Sequence, residues 1–172
     1  MWRPLVLVVL LGVLALAAFA FLSRGSSKRN AVVARVIDGD TIELVGGQRV
    51  RLVQIDTPEK HVECYGDQAS AITTRLLPAG TRVRVEQDSK LDQVDRYNRE
   101  LAYVWKGDED LNVTLVRDGA AGVWFFGGRR GRYANKLLSA ADQARVDRTG
   151  LWGACPSARF DPNESMSSGP AG

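Results

Sequence analysis

Gly46-Gly47 stands between two short alternating runs, Thr41 to Val45 and Gln48 to Ile55. Paired glycines joining two β-patterned segments specify a hairpin. A third run, Ala31 to Ile37, precedes them across Asp38-Gly39-Asp40, another strong turn signal. Two more strand patterns follow at Thr81 to Glu86, where Val83 and Val85 alternate with Arg82 and Arg84, and at Leu101 to Trp105. Asp88 to Glu100 between them is charged and without period, and is expected to be a loop. Helical spacing occupies Asp67 to Leu77, which Pro78 stops, then Leu111 to Asp118 behind a capping Asp110, and Tyr133 to Arg148 with Ala134, Leu137, Leu138 and Ala141 on one face. Five strands with one helix interposed and two appended suit a small Greek-key barrel whose helices close one end, an α+β fold.

The extremities fall outside that pattern. Leu5 to Leu22 is an unbroken run of 18 apolar or small residues, long enough to span a bilayer as a hydrophobic helix. Residues 1–22 are therefore a retained membrane anchor or a signal peptide, the latter because Ala18-Phe19-Ala20 resembles a cleavage site. Residues 23–30 form a polar linker, residues 31–156 the folded domain, and residues 157–172, rich in Ser, Gly and Pro, are expected to be a disordered tail. Arg3 and Arg24 are the only charged side chains in the first 24 residues, so the formal charge of +3 leaves little positive excess on the rest. Global charge does not announce a nucleic-acid binder. The two cysteines, Cys64 and Cys155, favour a disulfide if the chain is exported. Such a bond would close a loop of about 90 residues and add on the order of 4–5 kcal/mol by the chain-entropy account. A single histidine, His61, with no clustered Cys/His pairs argues against zinc.

The chemistry concentrates in "RLVQIDTPE", residues 51 to 59, where a strand carrying Arg51 ends in Asp56-Thr57-Pro58-Glu59. The other acidic turn, Asp38-Gly39-Asp40, joins the neighbouring strands. Taken alone Asp-Gly-Asp is only a turn. If the two strand ends meet, Asp40 and Asp56 repel each other unless a cation lies between them, and hard oxygen ligands suit Ca2+ or Mg2+. Two acids for a metal, a further carboxylate for a water and arginines nearby are the parts of metal-assisted phosphodiester hydrolysis.

"VIDGDTIEL", "VRLVQIDTPE", "YGDQAS", "DRYNRELAYVW" and "LVRDGAAGV" occur in order and together closely resemble the staphylococcal nuclease-like (thermonuclease) family, the resemblance covering about Val33 to Trp152. The resemblance implies a Ca2+-dependent endonuclease on a five-stranded OB-fold barrel, cleaving DNA and RNA to leave 3′-phosphates. It places Asp40 and Asp56 as calcium carboxylates, Thr57 as the residue that adds its backbone carbonyl, and Glu59 as the general base. Arg51 and Arg99 match the two arginines that hold the phosphate and stabilise the transition state. Arg96 and Tyr97 match nucleotide-contacting positions, and Phe125 is the candidate for stacking on a base in Val123-Trp124-Phe125-Phe126, which lacks the family's tyrosines. Arg129, Arg130 and Arg132 add a local basic patch.

One departure concerns Asn98, which stands where the family commonly has glycine; Asn tolerates the left-handed backbone better than most residues. The expected protein is a monomer acting outside the cytoplasm, tethered to the membrane or secreted. The alternative is a non-catalytic OB-fold module that binds nucleic acid or protein, against which stand the two metal acids and two arginines together.

Overall fold

A computed structural model describes residues 27–171. The strands are β1 (Lys28–Val36), β2 (Thr41–Leu44), β3 (Arg49–Leu52), β4 (Ile55–Asp56), β5 (Arg82–Glu86), β6 (Glu100–Lys106), β7 (Glu109–Asp110) and β8 (Gly122–Val123). The helices are α1 (Gly66–Leu76), α2 (Leu111–Arg117), α3 (Ala134–Val146) and the single turn α4 (Leu151–Ala154). The sheet runs β3-β2-β1-β5-β6, and a parallel β3–β6 pairing, Arg51 opposite Leu101, closes it into a five-stranded barrel. A bulge between Val33 and Arg35 lets the long β1 serve both halves of the barrel, pairing with β5 before it and β2 after it.

Alternation fills the interior. Val33, Ile42, Val50, Leu52, Val85, Ala102 and Val104 are fully buried, joined by Leu111 and Leu115 of α2 and Leu137 of α3. Each large aliphatic side chain removed from water contributes about 2 kcal/mol before entropy is set against it. Asp110 caps α2 by accepting the Asn112 and Val113 N–H groups, as the sequence predicts.

Three boundaries differ from expectation. The third strand breaks after Leu52 because Gln54 adopts φ 65°, and β4 resumes beyond the kink paired with β8 instead of β2. The expected linker is in part strand: Lys28, Arg29 and Asn30 pair with Glu86, Val85 and Arg84. Residues 157–171 are not a loose tail. Arg159 bridges Ser167, Glu63 bridges Pro170, and Ser168 is buried; backbone hydrogen bonds hold the segment, and Phe160 packs against the core and the Trp152 ring. Among the described residues no helix is long and apolar enough to cross a membrane, and the Leu5 to Leu22 run lies outside them.

Cys64 and Cys155 form a disulfide with Cα atoms 5.9 Å apart, joining the loop before α1 to the end of α4.

Candidate active site

Two acidic turns meet at one end of the barrel. Gly39 must lack a side chain there, because a Cβ would stand 2.5 Å from Thr57 Oγ1. Thr73 of α1 donates its hydroxyl to the Gly39 carbonyl at 2.6 Å, fixing the β1–β2 turn against the helix. Asp40 therefore reaches the chain after β4, and the Thr57 N–H donates to Asp40 Oδ2 at 3.4 Å.

Arg51 joins the two turns. Its Nη2 lies 2.5 Å from Asp56 Oδ1 and 3.1 Å from Asp40 Oδ2, while Nη1 donates to the Ile55 carbonyl at 3.0 Å. The alternation that places Arg51 opposite Val50 and Leu52 keeps it out of the apolar core, yet it is 9% exposed, with the Trp124 ring centroid 5.3 Å from its guanidinium carbon. Arg99 is oriented by Asp95, whose carboxylate accepts Nε at 2.7 Å and the Arg99 backbone N–H at 3.0 Å, and its Nη1 reaches Thr41 Oγ1 at 3.3 Å. Asn98, one residue earlier, has φ 60°, the left-handed conformation its side chain tolerates.

These groups line one cleft of about 220 Å³: Asp38, Asp40, Arg51, Asp56, Thr57, Glu59 and Arg99, with Trp124 and Ser165 on its walls. Glu59 is exposed at its lip. A second cavity of about 360 Å³ shares Arg51, Arg99 and Trp124 with the first and continues over Leu91, Asp95, Arg96, Tyr97, Phe126 and Arg129. An acidic cleft thus opens through a wall of two arginines into a basic and aromatic cavity.

Burial governs the charges. It pushes Asp56 up to about 7; Arg51 pulls it down, and Asp40 and Glu59 push it further up. Burial and then the Asp40 charge also raise Asp38. Burial opposes the Arg51 charge, but Asp40 and Asp56 outweigh it and raise the guanidinium above its ordinary value. A 2.5 Å ion pair and a raised carboxyl point opposite ways for Asp56. They are reconciled by counting partners: one guanidinium serves two partly desolvated carboxylates with further acids beside them, so negative charge is in excess. Asp95, though burial works against it, is held below its usual range by the Arg99 and Tyr97 N–H groups.

That excess fits a hard divalent cation, whose oxygen ligands would be the Asp40 and Asp56 carboxylates and the Thr57 carbonyl. Among the described residues no three His, Cys, Asp or Glu side chains stand close enough to cage an ion without other donors.

All six residues expected at the hydrolytic centre, Asp40, Arg51, Asp56, Thr57, Glu59 and Arg99, line the cleft, and Arg96 and Tyr97 line the cavity beside it. Phe125 does not. It is fully buried, and no face of its ring is open to a base. Trp124 and Phe126, on either side of it in the sequence, line the cavity together with Tyr97. Sequence reasoning also missed Asp95, the orienting partner of Arg99, although Asp before a turn ending in Arg carries a recognisable signal. It missed Ser165 and Met166, which nothing in the composition of the C-terminal segment marks.

Comparison with known proteins places the chain in a family. The family described as staphylococcal nuclease homologue matches residues 49–154. A thermonuclease of Staphylococcus intermedius is 40% identical over 129 residues, covering 70% of this chain and 74% of the relative. A thermonuclease of Staphylococcus hyicus is 37% identical over 143 residues, covering 77% and 82%. Endonuclease YncB of Bacillus subtilis is 32% identical over 131 residues, covering 72% of this chain and 61% of that protein.

Proposed function

Since the chain belongs to the staphylococcal nuclease homologue family, we propose that it is a Ca2+-dependent endonuclease that hydrolyses DNA and RNA at the acidic cleft and leaves 3′-phosphates. One observation carries this reading: Asp40, Asp56, Glu59, Arg51 and Arg99 line a single cleft small enough for all five to address one phosphate.

Asp40, Asp56 and the Thr57 carbonyl would hold the cation, which when bound neutralises phosphate charge and makes a neighbouring water more acidic. Glu59 at the lip accepts the proton of the attacking water. The water oxygen forms a bond to phosphorus, the bond to the 5′ oxygen breaks, that oxygen takes a proton from solvent to become a hydroxyl, and the phosphate stays on the 3′ side. Arg51 and Arg99 present planar forks to the non-bridging oxygens and stabilise the extra negative charge of the five-coordinate transition state. Asp95 keeps Arg99 aimed at the cleft. The adjoining cavity, with Arg96, Tyr97, Trp124 and Phe126, receives the nucleotide.

The Cys64–Cys155 bond supports action outside the cytoplasm, where disulfides persist and calcium is abundant. The testing experiment is hydrolysis of denatured DNA with Ca2+ and with EGTA. Cleavage that requires Ca2+ and yields 3′-phosphate ends is expected; binding without cleavage would leave a non-catalytic module.

A further inference from the structure

The C-terminal segment that composition marks as loose is anchored at both ends of a short stretch beside the cleft. On one side the Phe125 N–H donates to the Pro162 carbonyl at 2.6 Å. On the other, the Cys64 N–H donates to the Gly169 carbonyl at 2.8 Å, the Ser168 hydroxyl to the Cys64 carbonyl at 2.6 Å, and the Ala171 N–H to the Val62 carbonyl at 2.9 Å. Between these anchors the Met166 N–H donates to Asp56 Oδ2 at 2.8 Å, while Ser165 forms part of the cleft wall.

We propose that this strap is a working part of the active site, and that the Met166 N–H is a positioning group that fixes the Asp56 carboxylate for a divalent cation. The proposal rests on the nuclease reading of the cleft. Arg51 holds Oδ1 and Met166 holds Oδ2, so the carboxylate plane is defined from two sides. Each oxygen that accepts one hydrogen bond keeps a lone pair for an ion. The strap therefore orients the ligand without occupying it.

Two further facts favour a fixed strap over a movable lid. A Cβ on Gly122 would stand 2.6 Å from Met166 Sδ, so the thioether is seated on the residue that pairs with Asp56 across β4–β8. The anchors at Cys64 sit beside the disulfide, which ties that loop to the residue preceding the strap's root. The family match ends at residue 154, before the strap begins, so the device lies outside the matched residues.

Met166→Pro deletes the N–H, whereas Met166→Ala keeps it and deletes the thioether. On the full chain, Met166→Pro is expected to weaken Ca2+ binding by calorimetry and to lower kcat on single-stranded DNA, each about tenfold, with KM unchanged, while Met166→Ala, which keeps the N–H, loses clearly less of both. Wild-type Ca2+ affinity in Met166→Pro, or an equal loss in Met166→Ala, overturns the proposal. Should Met166→Pro fail to fold, NMR of the wild-type chain decides. The Met166 amide resonance is expected to move as Ca2+ saturates the cleft, and a resonance that stays fixed overturns the proposal. A wild-type chain that neither binds Ca2+ nor cuts DNA overturns the nuclease reading first, and this inference with it.

Discussion

Asp56 and Asp110 are both aspartates that burial pushes upward, the first to about 7 and the second to about 6. Their surroundings part them. Asp56 lies in an open cleft with an arginine and further acids, so that to the effect of burial the Asp40 and Glu59 charges add a further upward push, which Arg51 opposes. Among the described residues Asp110 has no salt-bridge partner; it accepts the Asn112 and Val113 N–H groups that start α2, and its Oδ2 has no hydrogen-bond partner there. A shifted carboxyl alone therefore does not mark a working site. The neighbours do, by what they leave unsatisfied.

The largest effects should separate the cleft from the cap through catalysis. Arg99→Ala is expected to lower kcat on the order of 10³-fold with little change in melting temperature, since Arg99 is only partly buried and outside the core. Arg51→Ala should lose as much activity and also about 3 kcal/mol of stability in urea, because it strands two carboxylates that share one buried guanidinium. Asp110→Asn should keep near wild-type kcat. Steady-state rates for the three variants check this, and an inactive Asp110→Asn would break the distinction.

A smaller effect concerns the cation itself. At free Ca2+ of about 100 times its dissociation constant, the folded wild-type chain gains about 2.7 kcal/mol, which EGTA removes. Asp40→Asn should lose most of that gain, and Asp110→Asn should keep it. Thermal melts with and without EGTA measure both. Equal stabilisation of Asp40→Asn would move the ion away from the cleft.

Much of this contrast was legible in the sequence, and the failures have physical causes. Gly46-Gly47 turns where predicted, with φ of 103° and 86°, and Asp110 caps where predicted. Asp40 and Asp56 converge because their turns flank neighbouring strands. The break at Gln54 was hidden because Val53 and Ile55 carry the β pattern through it. That break creates the β4–β8 pair, which fixes Val123 and Phe125 inward and turns Trp124 toward the cavity. Reading Phe125 as the stacking residue failed for want of that register. The strap was invisible because its anchors are backbone groups, which every residue carries.

The smallest effect tests the cap directly. Asp110 has a folded value of about 6 against an ordinary 3.8, so between those pH values the folded chain holds a proton that the unfolded chain has released. The unfolded state binds fewer protons there, and stability must fall as pH rises through that window. The loss is on the order of 2 kcal/mol, reduced by partial solvent access. Burial is the main cause; the Val113 and Asn112 N–H groups and Lys136 oppose it, and Glu86 adds to it. Asp110→Asn keeps a carbonyl for both N–H groups but has no proton to lose. In EGTA, urea midpoints at about pH 4 and 6.5 should show wild type losing stability relative to Asp110→Asn. Because Asp56 and Asp38 titrate alike in both chains, the difference isolates Asp110. A flat difference would mean that the α2 N–H groups hold the carboxylate ionised throughout, and burial would then be the lesser force at the cap.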